Sequence, residues 1–160
     1  MKQLTFALLL FILLPIYGTA QTLRDFSLEN LDGEWMDYND LKGEQLTIID
    51  FWASWCKPCM KAMPEIENLY QTFKDQGVNV ISINTDGPRS ISKVLPLSQT
   101  LNVTYPILSD INNDLTAELN ISVLPTMLLV NSDGKIISRH EGWTSGDEAK
   151  VEQHIKEAMQ

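Results

Sequence analysis

Leu46-Thr47-Ile48-Ile49-Asp50-Phe51-Trp52-Ala53-Ser54-Trp55-Cys56-Lys57-Pro58-Cys59 is the stretch on which the fold turns. Its first seven residues make an apolar run of strand length, dense enough for a strand buried on both faces. The two cysteines that follow are the only two in the chain. A strand, a short turn and then a helix would set Cys56 at the helix N-terminus, where unpaired N–H groups and the helix dipole stabilise negative charge. Pro58 suits the first helical turn, where its missing N–H is not needed. A thiol in that position loses its proton more readily, and the thiolate is the reactive species. Cys59, one turn on, is close enough to close a disulfide with it. The spacing points to thiol–disulfide exchange, with Cys56 attacking and Cys59 resolving.

Two plainer uses of the pair fit less well. A structural zinc site takes four protein ligands. Here only His140 and His154 could complete one, and they are too far apart for the usual histidine spacing. No residue is therefore assigned to a metal, and no cofactor is expected. A purely structural disulfide would close so short a loop that it removes little chain entropy. A pair that holds copper stays open as an alternative, because Met60 and Met63 lie nearby.

Residues 1–20 read as a signal peptide. Lys2 gives a positive start, Leu4 to Ile16 is apolar apart from Thr5, and Gly18-Thr19-Ala20 offers small residues for cleavage. That apolar core is short for spanning a bilayer, and an uncleaved N-terminal anchor is the alternative. Residues 21–160 are then one domain, large enough for a real core. The expected location is the periplasm or the extracytoplasmic face of a membrane, where a disulfide can persist. The formal charge of −9 becomes −10 once Lys2 is removed. Such acidity argues against nucleic acid as a partner.

Outward from the central stretch, Asn30-Leu31-Asp32-Gly33 between Phe26–Glu29 and Glu34–Asp37 predicts a hairpin. A turn at Leu41-Lys42-Gly43 leads into the strand 45–52. The helix opened by the cysteines should run to about Lys74, kink at Pro64 and end at Gly77. Val78–Ile83 is a strand, and Ser90–Leu101 a helix that Pro96 should interrupt. Thr104–Leu108 reads as extended and Asn113–Leu119 as a short helix. Thr126–Val130 and Lys135–Ser138 form a second hairpin about Asn131-Ser132-Asp133-Gly134. A last helix begins near Asp147, with Val151, Ile155 and Ala158 as its buried stripe. Strands alternating with helices, plus a closing hairpin, predict an α/β domain with a mixed central sheet flanked by helices.

Asp50 stands out because a carboxylate inside an apolar strand is costly unless it is paired, protonated or functional. Burial and a nearby thiolate would both raise its pKa. A group tuned in that way could take the proton of Cys59 as that thiol attacks a mixed disulfide. The plain alternative is an Asp that bonds the backbone at a strand end. Trp55 is expected to shield the nucleophile. Lys57 either steadies the Cys56 thiolate or is a solvated surface lysine. Trp35 and Trp143 read as core or loop-packing aromatics, and His140 and His154 as surface or half-buried side chains.

Asp50-Phe51-Trp52-Ala53-Ser54-Trp55-Cys56-Lys57-Pro58-Cys59, together with Pro64 and Val123-Leu124-Pro125-Thr126, resembles the thioredoxin superfamily. Within it, the chain resembles the exported TlpA/ResA/DsbE-like thiol–disulfide oxidoreductases. The resemblance implies a thioredoxin-like fold elaborated by the N-terminal hairpin and by a central insertion of about residues 86–109. It implies a cis peptide before Pro125, with Leu124 and Pro125 joining Trp55 in binding substrate. It also implies reduction of disulfides in protein substrates, apocytochrome c thiols or other envelope proteins among them. The implied partner is a membrane thiol–disulfide electron donor, and a monomer is expected. A disulfide-forming oxidase is the alternative direction. A peroxidase fits less well, since Ala53 rather than Thr stands three residues before Cys56. Two departures are notable: Ala62 where this branch often has Glu, and Asp50 where it often has Asn.

Overall fold

The computed structural model describes residues 21–160, so the expected signal peptide lies outside the described residues. Seven strands form one mixed sheet. In chain order they are β1 (Ser27–Asn30), β2 (Trp35–Asp37), β3 (Leu46–Trp52), β4 (Val78–Asn84), β5 (Ile107–Ser109), β6 (Thr126–Asn131) and β7 (Ile136–Glu141). Across the sheet they run β2-β1-β5-β4-β3-β6-β7. The centre, β5-β4-β3, is parallel, and the hairpins β1–β2 and β6–β7 extend it antiparallel on either side. The helices are α1 (Tyr38–Leu41), α2 (Lys57–Phe73), α3 (Val94–Thr100), α4 (Asp114–Glu118) and α5 (Asp147–Ala158).

β3 is buried along its whole length because both faces of the sheet are covered. Alternate side chains enter opposite cores. Leu46, Ile48 and Trp52 join α2, α5 and Val94 of α3. Ile49 and Phe51 join Tyr38, Leu115 and Leu119 beneath α1 and α4. The mixed sheet with helices on both sides is the expected architecture.

Local chemistry explains most of the boundaries. The Asn30 side-chain oxygen accepts from the N–H groups of Asp32 and Glu34, and Gly33 takes the positive φ of 82° that the turn needs. α2 passes into a 3₁₀ turn at Lys74–Gln76 and stops at Gly77, which is left-handed at φ 84°.

Four expectations need correction. Pro96 does not interrupt α3: it is the third residue of the helix, in the first turn, where its missing N–H has no intrahelical partner to lose. The turn at Leu41–Gly43 is preceded by the short helix α1, too brief to leave a periodic pattern. Ala158 is exposed, and the buried stripe of α5 runs Asp147, Val151 and Ile155, with Met159 packed beside it. Trp35 is not a packing aromatic, since it sits on the edge strand β2 with 67% of its surface exposed.

Candidate active site

The central stretch folds as its spacing predicts: β3 ends at Trp52, a tight turn follows, and α2 starts at Lys57 with Cys56 as its N-cap. The turn is closed by the Cys56 N–H donating to the Ala53 carbonyl at 3.0 Å. The Cys56 sulfur accepts from the Cys59 N–H at 3.2 Å, so it takes one of the free donors at the helix start. Cys56 and Cys59 are joined as a disulfide, with Cα atoms 5.3 Å apart. Cys59 is fully buried and Cys56 keeps 4% of its surface exposed, so of the two cysteines only Cys56 reaches the surface.

Asp50 lies on the face of β3 that carries Ile48 and Trp52, the face covered by α2 and by Cys59, Ala62 and Met63. It is completely buried, and neither carboxylate oxygen has a hydrogen-bond partner. Burial pushes its pKa up to about 7, and the Ser82 hydroxyl, opposite it on β4, draws it only partly back. The plain alternative of a backbone-bonding strand-end Asp is thereby corrected, because no backbone group bonds the carboxylate. Tyr105 shares this side of the sheet. Its hydroxyl is held well above the usual tyrosine range by burial and then by the charges of Asp50 and Glu67. It donates to the Met63 carbonyl of α2 at 3.4 Å.

The Leu124–Pro125 peptide is cis, as the resemblance implies. Two hydrogen bonds fix its loop: the Thr126 hydroxyl donates to the Val123 carbonyl at 2.7 Å, and the Gly142 N–H to the Pro125 carbonyl at 2.7 Å. Leu124 packs against the cluster that holds Cys56 and Cys59. Trp55 is 69% exposed beside Cys56, and Val123 is exposed on the proline loop. These two apolar side chains face solvent where a buried role would have been the default.

Ser54 and Asp86 carry a constellation that sequence reasoning missed. The fully buried Asp86 carboxylate accepts from the Ser54 N–H at 2.6 Å, the Ser54 hydroxyl at 2.8 Å and the Asn84 side chain at 2.9 Å. The Asp86 N–H donates in return to the Asn84 side-chain oxygen at 3.0 Å. The signal for it was register: β3 and β4 pair in parallel with Trp52 opposite Asn84, so two residues on, Ser54 meets Asp86.

Other candidates stand apart. Lys57 is exposed. Met63 is fully buried within the core and Met60 only partly buried. His140 is half-buried against Trp143 and 3.4 Å from Asp147, while His154 is exposed near Ser138. Among the described residues no group of three or more His, Cys, Asp or Glu side chains is placed to hold a metal ion.

Residues 19–139 match the AhpC/TSA family. The thiol-disulfide oxidoreductase ResA of Bacillus subtilis (strain 168) is 34% identical over 113 residues, which is 71% of this chain and 62% of the relative. ResA of Halalkalibacterium halodurans is 32% identical over 85% of this chain and 72% of the relative. The thioredoxin-like protein YneN of Bacillus subtilis is 35% identical over 77% and 71% respectively. Among solved structures, StoA from Bacillus subtilis superposes with a TM-score of 0.66 at 26% identity, covering 81% of this chain and 96% of its own. A thiol:disulfide interchange protein of the thioredoxin family from Chlorobium tepidum superposes with a TM-score of 0.75 over 89% and 99%, and at 21% identity that likeness speaks to the fold.

Proposed function

Because this chain belongs to the AhpC/TSA family and is TlpA/ResA/DsbE-like within the thioredoxin superfamily, we propose that it is a thiol–disulfide oxidoreductase that reduces disulfides in exported proteins. The observation that carries this reading is the disulfide at the head of α2, of whose two cysteines only Cys56 reaches the surface, with Leu124 of the proline loop packed against the cluster that holds them. In the reduced protein the Cys56 thiolate attacks one sulfur of a substrate disulfide. A mixed disulfide forms and one substrate thiolate leaves. Cys59 then gives its proton to Asp50 and attacks the Cys56 sulfur, so the second substrate thiolate leaves and takes up a proton from solvent. Two electrons have passed to the substrate, and the Cys56–Cys59 disulfide remains for a membrane thiol–disulfide donor to reduce.

Trp55, Leu124 and Pro125 are the proposed docking surface. The backbone beside the cis-proline would pair with an extended substrate segment, a form of strand addition. Residues 1–20 support an extracytoplasmic location, in the periplasm or on the outer face of a membrane, with the domain of residues 21–160 acting as a monomer. Among the described residues no helix is long and apolar enough to cross a membrane. Apocytochrome c and other envelope proteins with paired cysteines are the proposed substrates. Mixed-disulfide trapping tests the assignment of roles. Cys59→Ser should accumulate a covalent adduct through Cys56 with a disulfide-containing protein, and Cys56→Ser should accumulate none. Adducts formed equally well through Cys59 would reverse the roles.

A further inference from the structure

The geometry points to Asp86 as the positioning residue for the reactive cysteine: it grips the turn that leads into Cys56 and sets its carboxylate on that turn. This rests on the reading of Cys56 as the nucleophile and adds the group that tunes it. Ala53-Ser54-Trp55-Cys56 is a four-residue turn, and Asp86 holds its second residue by both N–H and hydroxyl, at 2.6 and 2.8 Å. One carboxylate thus orients the turn from which Trp55 projects into solvent and on which Cys56 enters α2. A bidentate, charge-assisted grip of this kind is stronger than neutral hydrogen bonds. The Asn84 side chain donates to the same carboxylate oxygen as the Ser54 N–H, and its own oxygen accepts from the Asp86 N–H, so Asp86 is held from both side chain and backbone.

The charge matters as much as the grip. Burial alone would raise the Asp86 pKa, but donors from Ser90, Ser54 and Asn84 outweigh it and hold the group below the usual carboxylate range. It is therefore ionised at any pH where thiols react. A negative charge bonded to Ser54, two residues before Cys56, disfavours the Cys56 thiolate, against the helix N-terminus, which favours it. The charged groups on the adjoining segments are Lys57, exposed and next in the chain to Cys56; Arg89, exposed on the loop after Asp86; and Asp50, buried on β3. A less stable thiolate makes the dithiol a better electron donor. Asp86 is thus the device that turns a cysteine at a helix N-terminus, otherwise poised to oxidise, toward reduction.

The test is the pH dependence of Cys56 alkylation by iodoacetamide in the reduced protein. Asp86→Asn keeps an oxygen for Ser54 but removes the charge, and its alkylation midpoint should fall by about one unit. At pH 9 its equilibrium with glutathione should move about tenfold toward the dithiol. Ser54→Ala keeps the charge and loses the hydroxyl, so its midpoint should stay where the unmodified protein has it. An unchanged midpoint in Asp86→Asn overturns the inference, as does an equal fall in Ser54→Ala, which would assign the effect to the turn alone. Should Asp86→Asn fail to fold, the unmodified protein decides. A midpoint above about 8 supports the inference, and one at or below that, within or near the ~3.5–7.5 range of ordinary helix N-terminal cysteines, overturns it. If trapping showed Cys59 as the nucleophile, the functional reading would fall on separate grounds.

Discussion

Replacing Asp50 by Asn tests the buried carboxylate through two independent readouts. Its pKa is raised from 3.8 to about 7 by complete burial. The native state therefore binds this proton more tightly than the unfolded chain does, and the stability it confers is full below about pH 4 and lost as pH rises to about 7. At ~1.4 kcal/mol per unit, a shift of that size amounts to roughly 4 kcal/mol of destabilisation above pH 7, an upper bound. Asn carries no charge and is spared that loss. Denaturant unfolding of the oxidised protein should show Asp50→Asn more stable than the unmodified chain, by a margin that widens by about 2–3 kcal/mol between pH 5 and pH 8. In turnover the same change should slow release of the mixed disulfide near neutral pH, by about 10²-fold or more, while first attack by Cys56 stays intact. A stability margin that does not change with pH would refute the raised pKa. Unchanged resolution kinetics across the pH range would refute the role in accepting the Cys59 proton.

Pro125→Ala should raise KM for a protein disulfide several-fold with a smaller change in kcat, because the proline loop is proposed to bind substrate rather than to perform chemistry; steady-state reduction of such a substrate measures it. Gly43→Ala should cost about 2 kcal/mol or more of stability by thermal or denaturant unfolding. A Cβ there would press on the Leu46 carbonyl and lie 2.7 Å from both the Asn79 N and the Gly77 O, all backbone atoms that cannot turn aside.

How far the sequence carried the structure varies with the kind of signal. The cysteine pair, the apolar strand before it and Pro58 are local, and they placed Cys56 as the α2 N-cap because strand, turn and helix follow one another without outside help. The two Asp-Gly hairpins were legible for the same reason. The burial of Asp50 could be anticipated from the run around it, although its lack of any partner could not, since that depends on what β4 sets opposite. Asp86 was invisible because Asp-Gly-Pro after a strand reads as an ordinary loop, and only the parallel register brings it to Ser54. Pro96 misled because its position within the helix depends on where the 3₁₀ turn of Ile91–Lys93, just before α3, ends. Trp35 misled because an aromatic residue in a short strand gives no sign that the strand is an edge.

The reductive direction is tested most directly by the reduction potential of the Cys56–Cys59 couple, measured by equilibrating the protein in a series of glutathione buffers and quantifying the dithiol by alkylation. A potential well below that of glutathione is expected, with the disulfide persisting even in strongly reducing mixtures. A potential well above it, with the dithiol dominant in mildly oxidising buffer, would contradict reduction and assign the protein to disulfide formation.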